Sequence, residues 1–302
     1  MQIVQLPSGF NSNHIRSNHI DFAKTVDHLA CLALLDEASL EHKPGLVCPS
    51  TQGSHADMNY ALFQRSIDAL QGYFQAQCIN GYNHVDFEKI RQCGVTAEQK
   101  MLTATAQINT HKGAIFNLGF ASAAVGKCLS EKRLSGKRTI TAQDISQCIT
   151  DTWQYELQHH LQRNPHSHGQ CMRNQYGITG AIEEVASGFQ TVLTLALPQY
   201  QDIYRKTADK KSASLQALFA LISELKDTNI VWRGGLSALY LVQDMTRQFL
   251  KQGGVLQKNW MQEVEKMETY FIQHHLSPGG SADLLGVTLF LDQVEHEFHH
   301  ML

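Results

Sequence analysis

The chain has 302 residues, enough for one large domain or two small ones with a sizeable core, and 43% of them are hydrophobic against 18% charged. A formal net charge of -3 gives no electrostatic reason to expect nucleic acid or an anionic membrane as the main partner. No apolar run approaches the ~20 residues a membrane helix needs, and the opening "MQIVQLPSGFNSNHIRSNHI" lacks the basic-then-apolar order of a signal peptide.

In chain order, the first strong signal is Phe63, Ile67, Leu70 and Phe74, spaced for one face of a single helix. Thr96 with Gln99 reads as a capping box, hence a helix start. Thr141 ahead of Ala-Gln-Asp reads as another, leading into the stripe Ile145, Ile149, Trp153 and Leu157. Residues 163–177, "RNPHSHGQCMRNQYG", form the least regular stretch and are expected to be a long polar loop. A full 3.6-residue stripe then runs through Ile182, Val185, Ala186, Phe189, Val192, Leu193 and Ala196, and Leu215, Leu218, Phe219, Ile222 and Leu225 make one more. There is no alternating run and no Asn-Gly hairpin signal, so the expected fold is all-α. No repeat or linker divides the chain, which predicts one domain over 1–302, with 1–20 less ordered. The seven cysteines are scattered singly without a CxxC pair, so free thiols and a cytoplasmic location are expected.

The usual nucleotide signatures, GxGxxG and GxxxxGK[ST], are missing, so a nucleotide site would have to be built from helix ends. Five polar stretches interrupt the helical pattern: "EASLEHKPGLV", "GSHADMN", "NTHKGA", "DTNIVWRGG" and "SPGGSADLL". Each sets glycine beside charged or amide groups near a helix, where the backbone can approach a ligand and free N–H groups can meet an anion. One alone is more often a cap or turn. Five, carrying Lys43, Lys112 and Arg233, suit a polyanion such as a triphosphate. In "NTHKGA" the expected arrangement has Asn109, Thr110 and His111 shaping a turn, Gly113 admitting phosphates and Lys112 contacting them. A lysine at a helix N-terminus opposes the helix dipole unless an anion is present.

Glu184 falls almost opposite the buried face of its expected helix, beside Gly180, Gly188 and Thr191. A helix-interior glycine costs about 1 kcal/mol relative to alanine, so close packing by a helix or a ligand is expected there. Asp283 and Asp57 read either as helix caps or as carboxylates for a divalent cation. His159, His160, His166, His168 and Cys171 have ligand chemistry but no standard zinc spacing, so a solvated loop is expected. His296 and His299 read as an exposed helix end.

The five stretches, taken in order as "KPGLV", "GSHADM", "NTHKGAIF", "DTN...RGG" and "SPGGSADLL", resemble the triphosphoribosyl-dephospho-coenzyme A synthase family from about Leu29 to Leu291. The chain departs from the family pattern at Ile182 and Glu183, where arginine and glycine are common, at Asn59 in place of a second aspartate, and at Trp232 in place of a histidine. The resemblance implies an all-α enzyme that uses magnesium. It transfers the 5-triphosphoribosyl group of ATP to the 2'-hydroxyl of 3'-dephospho-coenzyme A and releases adenine. The product is the prosthetic-group precursor of the citrate lyase or malonate decarboxylase acyl carrier protein, passed on to a carrier-protein holo-synthase. An α linkage implies inversion at the ribose carbon and direct displacement.

On that reaction the positive charge built on the ribose calls for a carboxylate. Glu184 is the first expectation, Glu37 the second and Asp57 a third, with His55 or His111 assisting the adenine. The expected nucleotide-binding set is Lys43, Gly45, Asn109, Thr110, His111, Lys112, Gly113, Arg233, Gly234, Gly279, Gly280 and Ser281, with Mg2+ held by Asp57, Asp227 or Asp283. An all-α metal-dependent ribosyl hydrolase and a non-catalytic nucleotide-binding protein are the competing readings.

Overall fold

The computed structural model of the chain describes residues 12–135, 139–163, 175–178 and 180–299. Among them there is no strand; the elements are α1 (Ser12–Ser39), α2 (Tyr60–Leu70), α3 (Tyr73–Tyr82), α4 (Phe87–Ala104), α5 (Lys112–Ser135), α6 (Ala142–Arg163), α7 (Ala181–Ala186), a π-helical turn (Val192–Ala196), α8 (Leu197–Thr207), α9 (Lys210–Glu224), α10 (Thr228–Lys251), a 3-10 turn (Gly254–Leu256), α11 (Trp260–Gln273) and α12 (Gly279–Phe298). Helix α3 lies along α5, α1 packs on α3 and α12, and α9 lies among α8, α10 and α12. One hydrophobic core runs through nearly all of these helices, from Ala23 to Phe298, as expected of one all-α domain. No helix among the described residues is long and apolar enough to cross a membrane.

Several expected boundaries shift, each for a local reason. The stripe from Phe63 to Phe74 spans two helices, because Gly72 turns left-handed at φ 82° between them. Asp27 of α1 takes the N–H groups of Gly72, Phe74 and Gln75 at 2.9–3.1 Å, so the new start is capped from another helix. Thr96 lies inside α4, bonded back to the Gln92 carbonyl, and the cap of that helix is Asp86, which accepts from the Lys89 N–H at 2.9 Å. Thr141 does open α6, exchanging bonds with Asp144 in both directions.

Helix α9 is buried on every face from Ala213 to Ser223 rather than on one stripe, which makes it a central core helix. The expected segment 1–20 lies outside the described residues up to residue 11, and α1 already begins at Ser12. Most of the polar stretch 163–177, with His166, His168 and Cys171, also lies outside the described residues.

The stripe from Ile182 to Ala196 is corrected most. Its spacing continues across a break, where Gly188 (φ 69°) and Phe189 (φ 60°) turn left-handed. A Cβ on Gly188 would collide with Ser146 of α6, so the close neighbour that the glycine signals there is a helix. Glu184 is not an isolated carboxylate. It accepts the Thr191 N–H at 3.0 Å and the Thr191 hydroxyl at 2.8 Å, across the break.

Candidate active site

The end of α1 fixes the first part of the site. Glu37 and Lys43 are both buried, and the lysine ammonium sits 2.6 Å from the Glu37 carboxylate and 2.6 Å from its main-chain carbonyl. Two buried ions are tolerated because each satisfies the other. Just after Lys43 the backbone turns at Gly45 (φ 72°), where a Cβ would strike the Leu276 carbonyl, so the loop after α1 is pressed against the segment that leads into α12.

Two buried aspartates join three helix N-termini. Asp227 caps α10 through the Asn229 N–H at 2.9 Å, and its other oxygen takes the Ser281 N–H at 2.8 Å and the Ser281 hydroxyl at 3.0 Å in the first turn of α12. Asp283 reaches from α12 to the first turn of α5, where it accepts the Ala114 N–H. A Cβ on Gly113 would collide with the Asp283 carboxylate. The close approach that the glycine of "NTHKGA" signals is therefore made by Asp283. Asp283 does not cap its own helix, and the first free N–H of α5, on Lys112, is bonded to Asn109 at 3.1 Å.

Burial, and then the charges of Glu37 and Asp227, hold the Asp283 carboxyl well above the usual carboxylate range. Asp227 is raised by burial and partly restored by its hydrogen bonds to Ser281 and Asn229. Glu37, Asp227 and Asp283 thus lie close enough to act on one another, and the buried Lys43 ammonium is bonded to Glu37 alone among them. Such a surplus disfavours a bare polyphosphate and favours a group that becomes positive.

His111 closes one side. It is 3% exposed, its Nδ1 lies 2.6 Å from the Ser66 hydroxyl, and Thr110 donates to the same hydroxyl at 2.8 Å. Burial and the nearby Lys43 push the imidazole down to about 3. This leaves it neutral throughout the physiological range.

At the mouth are the exposed cations. Arg233 donates to the Ser54 and His275 carbonyls at 3.3 and 3.0 Å and lies 3.3 Å from His55 Nδ1. His55 Nε2 is 2.9 Å from the Ser277 hydroxyl, and burial followed by Arg233 lowers its pKa. Lys112, its side chain 56% exposed, pairs with Glu98 of α4 at 2.6 Å. Asp57, 61% exposed, lies 4.0 Å from His55. It caps no helix; Asn59 caps α2 instead, accepting the Leu62 N–H at 2.9 Å.

All five interrupting stretches therefore meet. Gly45 contacts Leu276, His55 reaches Ser277, Gly113 faces Asp283, Gly234 packs on Leu276, and Gly279 and Gly280 lie against Asn229 and Asp227. Glu184 stands apart from these contacts, its carboxylate raised by burial and countered by Thr191. Sequence reasoning missed Ser66 and Ser277. The available signal for Ser66 was a hydroxyl on the core face of α2, between Leu62 and Leu70 at helical spacing. Among the described residues no three His, Cys, Asp or Glu side chains are grouped to hold a metal ion.

Comparison with known proteins places the chain in a family. The family described as ATP:dephospho-CoA triphosphoribosyl transferase matches residues 23–300. A protein of Acinetobacter calcoaceticus named probable 2-(5''-triphosphoribosyl)-3'-dephosphocoenzyme-A synthase is 65% identical over 302 residues, 100% of both chains. A protein of Vibrio cholerae with the same name is 35% identical, covering 98% of this chain and 96% of its own. One of Salmonella choleraesuis, named as synthase 1, is 38% identical over 89% of this chain and 90% of its own. No solved structure matches.

Proposed function

The chain belongs to the ATP:dephospho-CoA triphosphoribosyl transferase family, and from that premise we propose how its site carries out the transfer. The 2'-hydroxyl of 3'-dephospho-coenzyme A attacks the ribose C1'' of ATP, a new O–C1'' bond forms, the C1''–N9 bond breaks and adenine leaves. The triphosphate stays on the ribose throughout. The observation that supports this reading is the buried surplus of carboxylates beneath a rim of exposed cations.

As the C–N bond lengthens, the ribose acquires oxocarbenium character. Glu37, paired with Lys43 at 2.6 Å, and Asp283 face that charge without solvent to screen it. Asp283 is the base, from its place against Gly113 and the Ala114 N–H of α5: burial raises its pKa, which makes its ionised form a stronger proton acceptor for the hydroxyl, and the departing adenine takes up a proton from solvent. Glu184, matched by Thr191, holds the break between α7 and the π-helical turn.

The triphosphate lies at the mouth, against Arg233 and against Lys112, which leaves Glu98 for it. Gly45, Gly234, Gly279 and Gly280 let the surrounding loops close on one another there. Mg2+ fits this donor set only as an ion held chiefly by the phosphates, since Asp227 has both oxygens engaged and Asp57 is the exposed carboxylate beside the cations. When bound it neutralises phosphate charge. The product serves an acyl carrier protein of citrate lyase or malonate decarboxylase, through a holo-synthase.

Mass spectrometry of the products from ATP, Mg2+ and dephospho-coenzyme A tests the reaction. The expected result is the triphosphoribosyl adduct and free adenine in equal amounts, both absent when dephospho-coenzyme A is omitted. Adenine released without the acceptor makes the protein a hydrolase, and ATP binding without any adenine makes it a binding protein.

A further inference from the structure

The side chain least explained by the contacts above is His111. Its Nε2 is buried and has no hydrogen-bond partner among the described residues, and an unmet polar atom in a dry interior is destabilising. The tautomer follows from the hydroxyl chain behind it. Thr110 gives its proton to the Ser66 oxygen, and among the described residues the other side-chain hydrogen bond of Ser66 is to His111 Nδ1 at 2.6 Å. Ser66 is fully buried, so its own proton must go to Nδ1 or be left without an acceptor. Nδ1 therefore accepts, and the ring proton sits on Nε2 as an unused donor.

The surroundings specify what that donor meets. Phe63 stands edge-on to the imidazole, with ring centroids 4.9 Å apart. One helical turn beyond Gly113, on the face of α5 that Asp283 approaches, Asn117 is buried with its Oδ1 also unpartnered. An uncharged donor beside an aromatic edge suits a flat nitrogen heterocycle. A polyphosphate would be met by uncommitted cations and open N–H groups, whereas the cation near His111, Lys43, is bonded twice to Glu37.

We infer that His111 donates its Nε2–H to N3 or N7 of the adenine of ATP, held in that tautomer by the Thr110–Ser66 relay. The inference rests on the transfer reaction proposed above and deepens it. A neutral donor at this point strengthens its bond as the departing base gains electron density, while keeping its own proton, which places His111 among the catalytic residues and makes Ser66 and Thr110 positioning residues.

Two measurements test it. Nitrogen-15 NMR of the imidazoles in the unliganded wild-type protein should show His111 protonated at Nε2 and bare at Nδ1, unchanged from pH 5 to 8, and Ser66→Ala should lose that preference. An Nδ1–H tautomer, or a cationic ring at pH 5, overturns the proposal. Calorimetry without acceptor should then compare ATP, 3-deaza-ATP and 7-deaza-ATP. One deaza analogue should bind wild type roughly tenfold more weakly than ATP, about one hydrogen bond, and His111→Ala should bind all three alike. Equal binding of the three by the wild type overturns the contact without recourse to a variant. So does loss of inorganic tripolyphosphate binding in His111→Ala as large as the loss of ATP, which would assign the donor to phosphate. Adenine appearing in these acceptor-free mixtures would count against the transfer reaction itself, separately from the contact.

Discussion

Among the places where this molecule buries a carboxylate, two do so under opposite terms. Around Glu184 one carboxylate meets a matching set of donors, the Thr191 N–H and hydroxyl, and nothing is left over. Around Asp283 burial first, and then the charges of Glu37 and Asp227, push the carboxyl upward, while the Lys43 ammonium is bonded to Glu37. The first arrangement stabilises a break between helices. The second costs stability in the free protein, and a cost of that kind persists in active sites because it favours the charge that develops during reaction. Burial alone does not separate a structural acid from a reacting one; the balance of partners does.

The largest effect expected from breaking this contrast is at Asp283. Asp283→Asn should lower kcat by ~10²–10⁴, the usual worth of a general base, with KM for ATP changed far less. The unliganded variant should also melt higher at pH 8. The sign follows from linkage: an acid whose pKa is raised on folding holds its proton to higher pH in the folded form. Stability therefore falls as pH rises above about 4, the unfolded carboxylate value, until the folded group has ionised. The gain in melting temperature should vanish below that pH. An unchanged kcat would remove Asp283 from the chemistry.

Next is Lys43→Met, which leaves Glu37 buried without its cation. Losing one partner of such a pair costs ~3–5 kcal/mol, read as a shift in the urea midpoint. The double variant with Glu37→Gln should recover most of it, and a failure to recover would mean the pair is not an isolated balance.

Lys112→Ala should weaken ATP binding about tenfold by calorimetry, since a charge-assisted hydrogen bond is worth ~1.5–3 kcal/mol and the exposed Glu98 pair competes for the ammonium. Its melting temperature should hardly move. Unchanged ATP affinity would place the triphosphate elsewhere on the rim.

The smallest effect is expected at Glu184. Glu184→Gln should cost ~1 kcal/mol of stability, comparable to weakening a helix cap, with turnover preserved within about threefold. A collapse of kcat at an unchanged melting temperature would reverse the contrast drawn above and make Glu184 the reacting acid.

These partner balances are what the sequence conceals. The five segments of the site were legible because glycine beside charge at a helix end is a local signal, and all five meet. That Gly113 serves Asp283, 170 positions away, is not local, so the same glycine read as a cradle for phosphate. Helical spacing survives a tight turn, so Ile182 to Ala196 looked like one helix although Gly188 and Phe189 break it, and the same blindness joined Phe63 to Phe74 across Gly72. Ser66 was hidden for a different reason: a hydroxyl on a core face names no partner until the histidine it serves lies beside it.

Asp227 ties the beginning of α10 to the beginning of α12, and α12 in turn packs against α1 and carries Asp283 to α5. The final helix is thus the piece that closes a loop almost as long as the chain, and such closures come late because their entropy is offset only once the contacts form. During synthesis no partial chain can hold a completed site. Catalytic competence should appear in a single step, when the C-terminal helix docks, and a chain cut before Gly279 should be inert even where the rest of its helices have assembled.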